Sequence, residues 1–329
     1  SSDVCSSDLD VLEECMTMYV HTEDGKKDFV RELTRKCFVN GIRIKNVQHL
    51  SKKNGRNAIV FQARTVGRSC VAAKKVVPVL TEVLRSGYYP DDSNRRIINE
   101  EYHQYIFIQE DRFKLLSGVA RMNKGKSHFN GDNFLISRLE CGKAIAAIAD
   151  GMGSGKRAYI ESRMVIELME NCIDAGFDEK ASIDLINSAY IAGGGTGNPV
   201  TMDMSVIDCQ SGYMHCMKLG AVSTFIRRDK WVEIIQSTTL PMGVLEQVDY
   251  DCTTKKLYDG DYIVMVSDGV LDNIPCVNKE ERMAQMIHAL TIREPSAMAE
   301  KLLEQSLAYN DMKASDDCTV LVLGLFDTY

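Results

Sequence analysis

The sequence predicts an α+β fold in two domains, an N-terminal α/β domain in residues 1–112 and a C-terminal domain in residues 113–329. With 329 residues and 45% apolar composition, the chain is long enough to bury a separate core in each domain. The charge also divides, because residues 1–114 carry 19 Lys and Arg against 16 Asp and Glu, whereas residues 115–329 carry 20 against 30. Near Phe113 the apolar spacing changes from alternating helices and strands to a run of short strands.

The N-terminal domain is predicted to contain two amphipathic helices and three strands. Apolar residues recur at helical spacing in residues 29–38 and again in residues 76–84. Apolar runs predict strands over residues 42–50, 58–66 and 102–108. Three isolated histidines are interpreted as ordinary surface or core residues: His21, His49 and His103. This domain carries no recognisable catalytic motif, and we expect it to be regulatory.

The C-terminal domain is predicted to be a series of short strands interrupted by helices. The strand candidates are residues 115–122, 134–139, 143–149, 202–207, 213–219, 223–227, 232–235, 262–266 and 320–326. The helix candidates are residues 154–175, 178–192, 280–290 and 295–309. Glycines between residues 193 and 197 predict a flexible loop. Two β-sheets sandwiched by helices would accommodate this order of elements.

Four short acidic motifs recur through the C-terminal domain, each beside a strand candidate. They are Gly-Asp-Asn-Phe at 131–134, Asp-Gly-Met-Gly at 150–153, Ser-Asp-Gly at 267–269 and Asp-Asp-Cys-Thr at 316–319. Asp150 and Asp268 each follow a strand and Asp316 precedes one, so we expect these carboxylates to converge at the ends of neighbouring strands. Converging carboxylates repel one another unless hard divalent cations neutralise them. The motifs therefore predict a metal-dependent hydrolase.

The residue types in the motifs indicate which metal is bound. None of the four contains histidine, and an all-oxygen ligand set suits Mn²⁺ or Mg²⁺ and disfavours zinc. Two such ions would lower the pKa of a shared water and neutralise phosphoryl oxygens in an in-line displacement, without a covalent nucleophile. The competing interpretation is that the aspartates are turn residues and helix caps, since Asp-Gly is a common turn pair.

The segment that follows Asp150, Gly-Met-Gly-Ser-Gly-Lys-Arg-Ala at 151–158, invites a nucleotide-binding interpretation. A P-loop requires glycine where Asp150 stands and serine or threonine where Arg157 stands, so two of its necessary residues are missing. Two glycines and Ala158 fit the dinucleotide fingerprint, but that fold requires a second parallel strand where this sequence predicts a second helix. A nucleotide-dependent switch or kinase is therefore disfavoured.

Taken in order, six segments resemble the bacterial metal-dependent protein phosphatases of the PPM, or protein phosphatase 2C, family. They are GDNF at 131–134, DGMGSGKRA at 150–158, TMDMSVID at 201–208, LPMG at 240–243, SDG at 267–269 and DDCTV at 316–320. The resemblance covers residues 113–329. It implies an α-β-β-α sandwich and hydrolysis of phosphoserine or phosphothreonine by a water that bridges two Mn²⁺ or Mg²⁺ ions.

The same resemblance implies a role for five residues. Asp150 would bridge both ions, and Gly151 would give its backbone carbonyl to one of them. Asp268 and Asp316 would complete the shell of the second ion. Asp132 would hold a metal-bound water or a further ion, so Asp132 and Asp150 are the expected catalytic residues.

Other residues near the motifs are given lesser roles. Asp317 is second choice to Asp316 as a ligand, and Thr201 and Asp203 are interpreted as structural. Eukaryotic members of the family place a phosphate-binding arginine shortly before the first acid, and no arginine stands among residues 127–130. Three nearby cations are candidates for that role: Arg121, Lys124 and Lys126.

The expected partner is a phosphoprotein. Within the family the motifs are most similar to a phosphatase of spore-forming bacteria, which implies a phosphorylated anti-sigma factor antagonist as substrate. An environmental-stress phosphatase of the same family would share this catalytic half. A non-catalytic module with a degenerate phosphatase fold is the alternative from another class, and retention of all four acids counts against it. The acidic C-terminal domain argues against nucleic acid as a partner.

Cysteine usage and the chain ends bear on the cellular setting. Eleven scattered cysteines, without a CxxC pair or a hydrophobic leader, predict a reduced, cytoplasmic environment. The first residues resemble the rest of the chain poorly, so we expect a fragment, and a membrane-anchored whole protein would be compatible with it. We further hypothesise a homodimer in which the N-terminal domain sets the position of the helix predicted at residues 154–175.

Overall fold

The computed structural model describes residues 19–21, 27–52, 56–125, 129–139, 142–152, 155–192, 199–220, 223–229, 231–244 and 250–328. The chain forms two compact units, Ser1–Arg112 and Phe113–Tyr329. Five features predicted above fall wholly or partly outside the described residues: the atypical first residues of the chain, the phosphate-binding candidate Lys126, the acidic motif at 150–153, the helix start at Ser154 and the glycine loop at 193–198.

The N-terminal unit is built on an antiparallel sheet. Its strands are β1 (Tyr19–His21), β2 (Ile42–Lys52), β3 (Asn57–Thr65), β4 (Val71–Ala72), β5 (Tyr88–Pro90), β6 (Ile97–Ile98) and β7 (His103–Gln109). Five of them form one sheet in the order β1-β2-β3-β7-β5, and β4 pairs with β6. The helices are α1 (Lys27–Val39) and α2 (Val77–Leu84), and a short 3-10 turn precedes α2.

The core of the N-terminal unit lies between one face of its sheet and the two helices. Leu33 and Cys37 of α1 are fully buried against it, as the helical spacing predicts. Phe61 and Phe107, on β3 and β7, stack with ring centroids 5.4 Å apart. Alternate strand residues supply the rest of this core, which explains why the sequence showed both helical and strand periods in this part.

The C-terminal unit contains two five-stranded sheets in which every pair of neighbouring strands is antiparallel. The first sheet has the order β15-β12-β11-β10-β9. Its strands are β9 (Asp132–Arg138), β10 (Lys143–Gly151), β11 (Val200–Asp208), β12 (Tyr213–Leu219) and β15 (Asp251–Lys256). The second sheet has the order β14-β13-β16-β17-β8. Its strands are β8 (Phe113–Met122), β13 (Thr224–Arg228), β14 (Trp231–Ile235), β16 (Tyr262–Val266) and β17 (Cys318–Asp327).

Helices cover the outer face of each sheet. The first sheet packs against α3 (Lys156–Asp174) and α4 (Glu179–Ala192). The second sheet packs against α5 (Asp268–Asp272), α6 (Lys279–Ala289) and α7 (Pro295–Ala308). A third apolar cluster fills the space between the sheets. The four layers are an α-β-β-α sandwich, and the predicted fold class is confirmed.

The alternation of side chains along β10 places the first acidic site. Ile145, Ala147 and Ala149 point towards the helices, whereas Ala146 and Ile148 point into the layer between the sheets. A strand has a side-chain period of two, so the next residue on the inner face is Asp150. The strand β10 therefore places the Asp150 carboxylate at the edge of the layer between the sheets.

Local sequence accounts for the starts of two helices on the second sheet. Pro295 occupies the first turn of α7, and the Glu294 carboxylate accepts hydrogen bonds from the N–H groups of Ser296 and Ala297. Asn278 caps α6 by accepting from the N–H of Glu281. These side chains satisfy N–H groups that have no partner within a helix.

The predicted elements agree with the structure within a few residues, and a few elements are additional. The additional ones include β15, which is polar and pairs on one side only, and α5, which begins at the Ser-Asp-Gly motif. Among the described residues no helix is both long and apolar enough to cross a membrane. The eight cysteines in the described part of the chain are free thiols.

Candidate metal centre

Two acidic residues of the first sheet lie opposite each other at the ends of neighbouring strands. Asp132 is the first residue of β9, and it pairs in register with Asp150 of β10. Directly opposed residues project from the same face of a sheet, with Cβ atoms about 4.5–5.5 Å apart. Asp132 is only 1% exposed. Strand pairing therefore brings the first two acidic motifs together.

The second sheet supplies the other two motifs. Asp268 follows β16 and begins α5, where its carboxylate accepts a hydrogen bond of 2.7 Å from the N–H of Gly269. Asp316 lies two residues before β17, whose Val320 pairs with Val266 of β16. The end of β16 and the start of β17 are adjacent because the strands are antiparallel. Asp268 and Asp316 are therefore placed at the same edge of this sheet.

The acids of the two sheets converge, since Asp150 of the first sheet and Asp268 at the end of β16 line the same small cavity. Burial is the largest cause that raises the pKa of Asp150, to about 8. Repulsion by four other carboxylates adds to that rise: Asp132, Asp268, Asp316 and Asp317. Such repulsion is strong only over a few ångströms. The structure thus brings all four acidic motifs to one edge of the layer between the sheets.

Asp132 and Asp268 are perturbed in the same way. Burial raises the pKa of Asp132 to about 7, the nearby Ser267 and Thr319 hydroxyls oppose the rise, and other carboxylates add to it. The pKa of Asp268 is also raised, first by burial, while the N–H of Gly269 opposes the rise. Carboxyls that lie close together and are partly removed from water disfavour their own ionisation, so the cluster favours a compensating cation.

The donor set fits an oxygen-loving divalent cation. The Oδ2 atom of Asp132 is buried and has no hydrogen-bond partner among the described residues. A buried carboxylate oxygen without a donor is costly unless a cation neutralises it. As the side chains stand, no three His, Cys, Asp or Glu in the described part of the chain are arranged around one metal position. The site therefore has the ligand chemistry, while its side chains are not in a closed coordination geometry.

Two glycines of the acidic motifs allow close packing around the cluster. A Cβ atom on Gly151 would lie 2.5 Å from the carbonyl oxygen of Ala158 in α3. A Cβ atom on Gly269 would lie 2.1 Å from the carbonyl oxygen of Asp317. Neither position accepts a side chain without moving backbone. The glycine that follows each of these aspartates is thus required by packing.

The helix α3 is tied directly to the first acidic motif. The Ser162 hydroxyl lies 2.7 Å from the carbonyl oxygen of Gly131, to which it donates. The Asn133 side-chain amide donates to the carbonyl oxygen of Tyr159 and to the Ser162 hydroxyl, at 2.9 Å and 2.7 Å. A displacement of α3 would therefore also move the start of β9, next to Asp132.

The two neighbouring aspartates of the last motif have different surroundings. Asp317 is buried, and its carboxylate accepts hydrogen bonds from the N–H groups of Gly131 (2.6 Å) and Lys124 (2.7 Å). Asp316 has a side chain that is 46% exposed and lies 3.5 Å from the ammonium of Lys124. Asp317 therefore holds the segment before β9 in place, whereas the Asp316 carboxylate stays accessible at the rim of the cluster.

The phosphate-anchoring candidates differ in what they already contact. The Arg121 guanidinium donates to the carbonyl oxygen of Asp132 and lies over the Phe134 ring, 5.4 Å from its centroid. The Lys124 side chain is 49% exposed at the rim of the acidic cluster, beside Asp316. Arg121 is engaged in positioning β9, so Lys124 is better placed to meet an incoming anion.

A small cavity between the sheets contains residues that the sequence did not mark as functional. Its volume is about 80 Å³, and its lining includes Asp150, Asp268, Thr201 and Asp203. Asp203 is 2% exposed and pairs with the ammonium of Lys218 at 2.7 Å. Lys218 was not among the residues predicted to be functional. The sequence signal for this residue is a lysine within an otherwise largely apolar strand. A lysine is rarely buried without a partner of opposite charge, so its position indicates a buried ion pair.

A larger cavity lies away from the acidic motifs. Its volume is about 630 Å³, and its lining includes Arg227, Arg228, Tyr258 and Tyr262 at the other end of the second sheet. The two arginines donate to backbone carbonyl oxygens, and Arg228 also pairs with the carboxylate of Asp261. None of the four acidic motifs reaches this cavity, so its size alone does not make it the catalytic site.

Comparisons with known proteins agree with this geometry. A family model described as stage II sporulation protein E (SpoIIE) matches residues 141–326. Stage II sporulation protein E of Bacillus subtilis (strain 168) is 29% identical over 286 residues, which is 87% of this chain and 34% of that relative. The Priestia megaterium protein of the same name is 30% identical over 253 residues, 77% of this chain and 43% of the relative.

A solved structure extends the similarity over both units. The PP2C phosphatase domain and a fragment of the regulatory domain of SpoIIE from Bacillus subtilis superimpose with a TM-score of 0.70 and 26% identity. The match covers 99% of this chain and 98% of that one. The chain spans less than half the length of the curated relatives that it matches. Because the family model covers more than half of the chain and the fold agrees, the chain belongs to the stage II sporulation protein E family of PP2C-type phosphatases.

Proposed function

We propose that this chain is a protein serine/threonine phosphatase that hydrolyses phosphoserine on a regulatory protein with the aid of two Mn²⁺ or Mg²⁺ ions. The observation that carries the proposal is the convergence of acids from both sheets, since Asp150 pairs in register with Asp132 and lines one cavity with Asp268. Acids gathered in this way need cations, and PP2C-type phosphatases are metal-dependent.

The proposed ligands are the residues implied by the motifs. Asp150 and the carbonyl of Gly151 would hold one ion, and Asp150, Asp268 and Asp316 would hold the other. Asp132 would take up a metal-bound water or a further ion. When bound, two such ions would supply an activated water and neutralise charge on the phosphoryl group.

The protein's own side chains would orient the substrate and the ligands. The Lys124 ammonium stands at the exposed rim beside Asp316, where it can meet the dianionic phosphate. The buried Asp317 carboxylate fixes the backbone on both sides of residues 126–128 through Lys124 and Gly131. Arg121 holds the first residue of β9 through its carbonyl oxygen, which keeps Asp132 at the edge of the layer between the sheets.

The substrate we propose is a phosphorylated anti-sigma factor antagonist. Support comes from membership of a family whose curated members are named for a stage of sporulation. The acidic C-terminal half, with 30 Asp and Glu against 20 Lys and Arg in residues 115–329, fits a protein substrate better than nucleic acid. We also propose a homodimer in which the N-terminal unit regulates the metal site by setting the position of α3, whose Ser162 donates a hydrogen bond to the carbonyl oxygen of Gly131.

The test is turnover of defined phosphoproteins by the purified chain. Candidate phosphorylated anti-sigma factor antagonists are incubated with the chain and Mn²⁺, and phosphate release and loss of the phosphorylated band are measured. The matched control is Asp150→Asn, which keeps the shape of the side chain. We expect metal-dependent release by the parent and none by the variant. Mn²⁺ binding without turnover of any phosphoserine substrate would indicate a non-catalytic binding module instead.

A further inference from the structure

A buried ion pair lies on the same face of the first sheet as the metal-site acids, one row further into the sandwich. Asp150 of β10 is paired in register with Thr201 of β11, and Asp203 lies two residues after Thr201 on β11. Asp203 is in turn paired in register with Lys218 of β12. Residues two apart on a strand project from the same face at about 6.6 Å along it. The pair is therefore a near neighbour of Asp150 within the layer between the sheets.

The pair is closed by a residue of the second sheet. The Lys218 ammonium donates to Asp203 Oδ2 and to the Thr224 hydroxyl oxygen, both at 2.7 Å. The Thr224 hydroxyl donates in turn to Asp203 Oδ2. Thr224 begins β13, and it pairs in register with Met265 of β16, three residues before Asp268. One polar cluster thus joins the strand neighbours of Asp150 to the strand that leads to Asp268.

All three side chains are inaccessible to solvent. Lys218 is 1% exposed, Asp203 2% and Thr224 0%. A buried ion pair seldom adds net stability, because the cost of removing two charges from water offsets their attraction. Most of the layer around it is filled by apolar side chains that would pack without any charge. Its presence at this place therefore calls for an explanation other than stability.

The position of Asp203 in the small cavity between the sheets supplies that explanation. Asp203 lines the same space of about 80 Å³ as Asp150 and Asp268, together with the hydroxyl-bearing residues Thr201 and Ser267. Asp150 belongs to the first sheet and Asp268 to the second, so their separation depends on how the two sheets are held at this edge. Apolar packing is non-directional and tolerates small sliding, whereas a lysine that bridges two fixed acceptors does not.

We propose that Asp203 and Lys218 are positioning residues for the metal centre. With Thr224 they fix the separation of the two sheets at the edge where each sheet contributes ligands, and so set the distance between Asp150 and Asp268. The inference rests on the proposed function, since it concerns the affinity of that same site for divalent cations. It replaces the purely structural interpretation that the sequence suggested for Asp203.

The experiment measures Mn²⁺ binding directly, in the full chain and without substrate. Mn²⁺ dissociation constants come from calorimetric titration, and thermal unfolding is recorded in EDTA. Lys218→Met removes the ammonium and retains the length of the side chain, but it leaves the Asp203 charge buried and unpaired. The double variant Asp203→Asn with Lys218→Met removes both charges, so it separates positioning from stability.

The expected result is a double variant that unfolds within a few degrees of the parent but binds Mn²⁺ at least about tenfold more weakly. Loss of residues that orient metal ligands commonly costs 10–100-fold in affinity. Lys218→Met should bind at least as weakly and unfold at a lower temperature. The matched control is Arg228→Met, which breaks the pair with Asp261 at the other end of the second sheet and should leave Mn²⁺ affinity unchanged.

Three results would overturn the inference. A double variant that binds Mn²⁺ within about twofold of the parent would show that the pair does not position ligands. A double variant that fails to fold would assign the pair to the fold itself. A parent chain that binds no Mn²⁺ would remove the proposed function along with this inference, whereas the first two results leave the proposed function standing.

Discussion

Replacing Asp150 by asparagine should stabilise the metal-free protein, and the structure gives the size of the effect. The pKa of Asp150 is raised from an ordinary 3.8 to about 8, chiefly by burial and then by the other carboxylates. A carboxyl whose pKa is higher in the folded than in the unfolded state loses stability as the pH rises from about 4 to about 8. At pH 7 this ionisation penalty reaches about 4 kcal/mol, since each pH unit contributes ~1.36 kcal/mol.

The stabilisation by Asp150→Asn should be smaller than that penalty. The asparagine amide is itself polar and must lose water at this partly buried position, which offsets part of the gain. We therefore expect a gain of about 2 kcal/mol at pH 7, which is roughly 4–8 °C in Tm for a unit of this size. Near pH 4 the difference should become small, because Asp150 is protonated in the folded state and the unfolded carboxyl is close to its ordinary pKa of 3.8.

The assay is thermal unfolding of the full chain in EDTA between pH 4 and pH 8. The exposed Asp184 of α4 supplies the control, since Asp184→Asn removes a charge outside the acidic cluster and should leave Tm unchanged. With saturating Mn²⁺ the order should reverse, because bound metal stabilises only the parent fully. Equal Tm values for parent and Asp150→Asn across this pH range in EDTA would refute the convergence of acids at Asp150.

Three further predictions concern the same site. Chelation should abolish phosphoserine hydrolysis, and Mn²⁺ or Mg²⁺ should restore it where Zn²⁺ does not; activity that survives exhaustive chelation would contradict an all-oxygen metal site. Asp317→Ala should lower the free energy of unfolding by about 1–3 kcal/mol, because two backbone N–H groups lose their acceptor. Asp316→Ala should instead reduce activity at little cost in Tm, because its carboxylate is accessible at the rim of the cluster. Denaturant titrations and phosphate release measure the two effects, and the reverse pattern would exchange the roles of these residues. Lys124→Ala should raise KM for the phosphoprotein at least about fivefold with Tm unchanged, since its exposed ammonium is the proposed anchor, and an unchanged KM would exclude that role.

The strands and most helices were predictable because their signals are local. In β10, both faces are apolar, and the run ends at an aspartate followed by a glycine, which the sequence displays directly. In α1 and α3 the apolar stripe repeats at helical spacing. By contrast, β15 is polar and is held by pairing with β12 alone, so nothing in its own residues marks it as a strand.

The four acidic motifs and their convergence at strand ends were predictable from the sequence, whereas the detailed geometry of the cluster was not. Each of the four motifs is a short segment at a strand end, and that much can be read along the chain. Their convergence depends on the pairing of β9 with β10, of β16 with β17, and on the packing of the two sheets. Strand order is decided by contacts between residues far apart in sequence, which periodicity cannot reveal.

The sequence by itself determined the fold class, the family and the four acidic motifs, because these rest on residue types and their order along the chain. Only the tertiary structure decided which contacts each polar residue makes within this fold. Asp316 and Asp317 are adjacent in sequence, yet one is exposed at the rim and the other binds two backbone N–H groups. Lys218 became significant only when β12 and β13 placed it between Asp203 and Thr224. The physical reason is that burial and hydrogen bonding are properties of the assembled layers, and a one-dimensional pattern does not contain them.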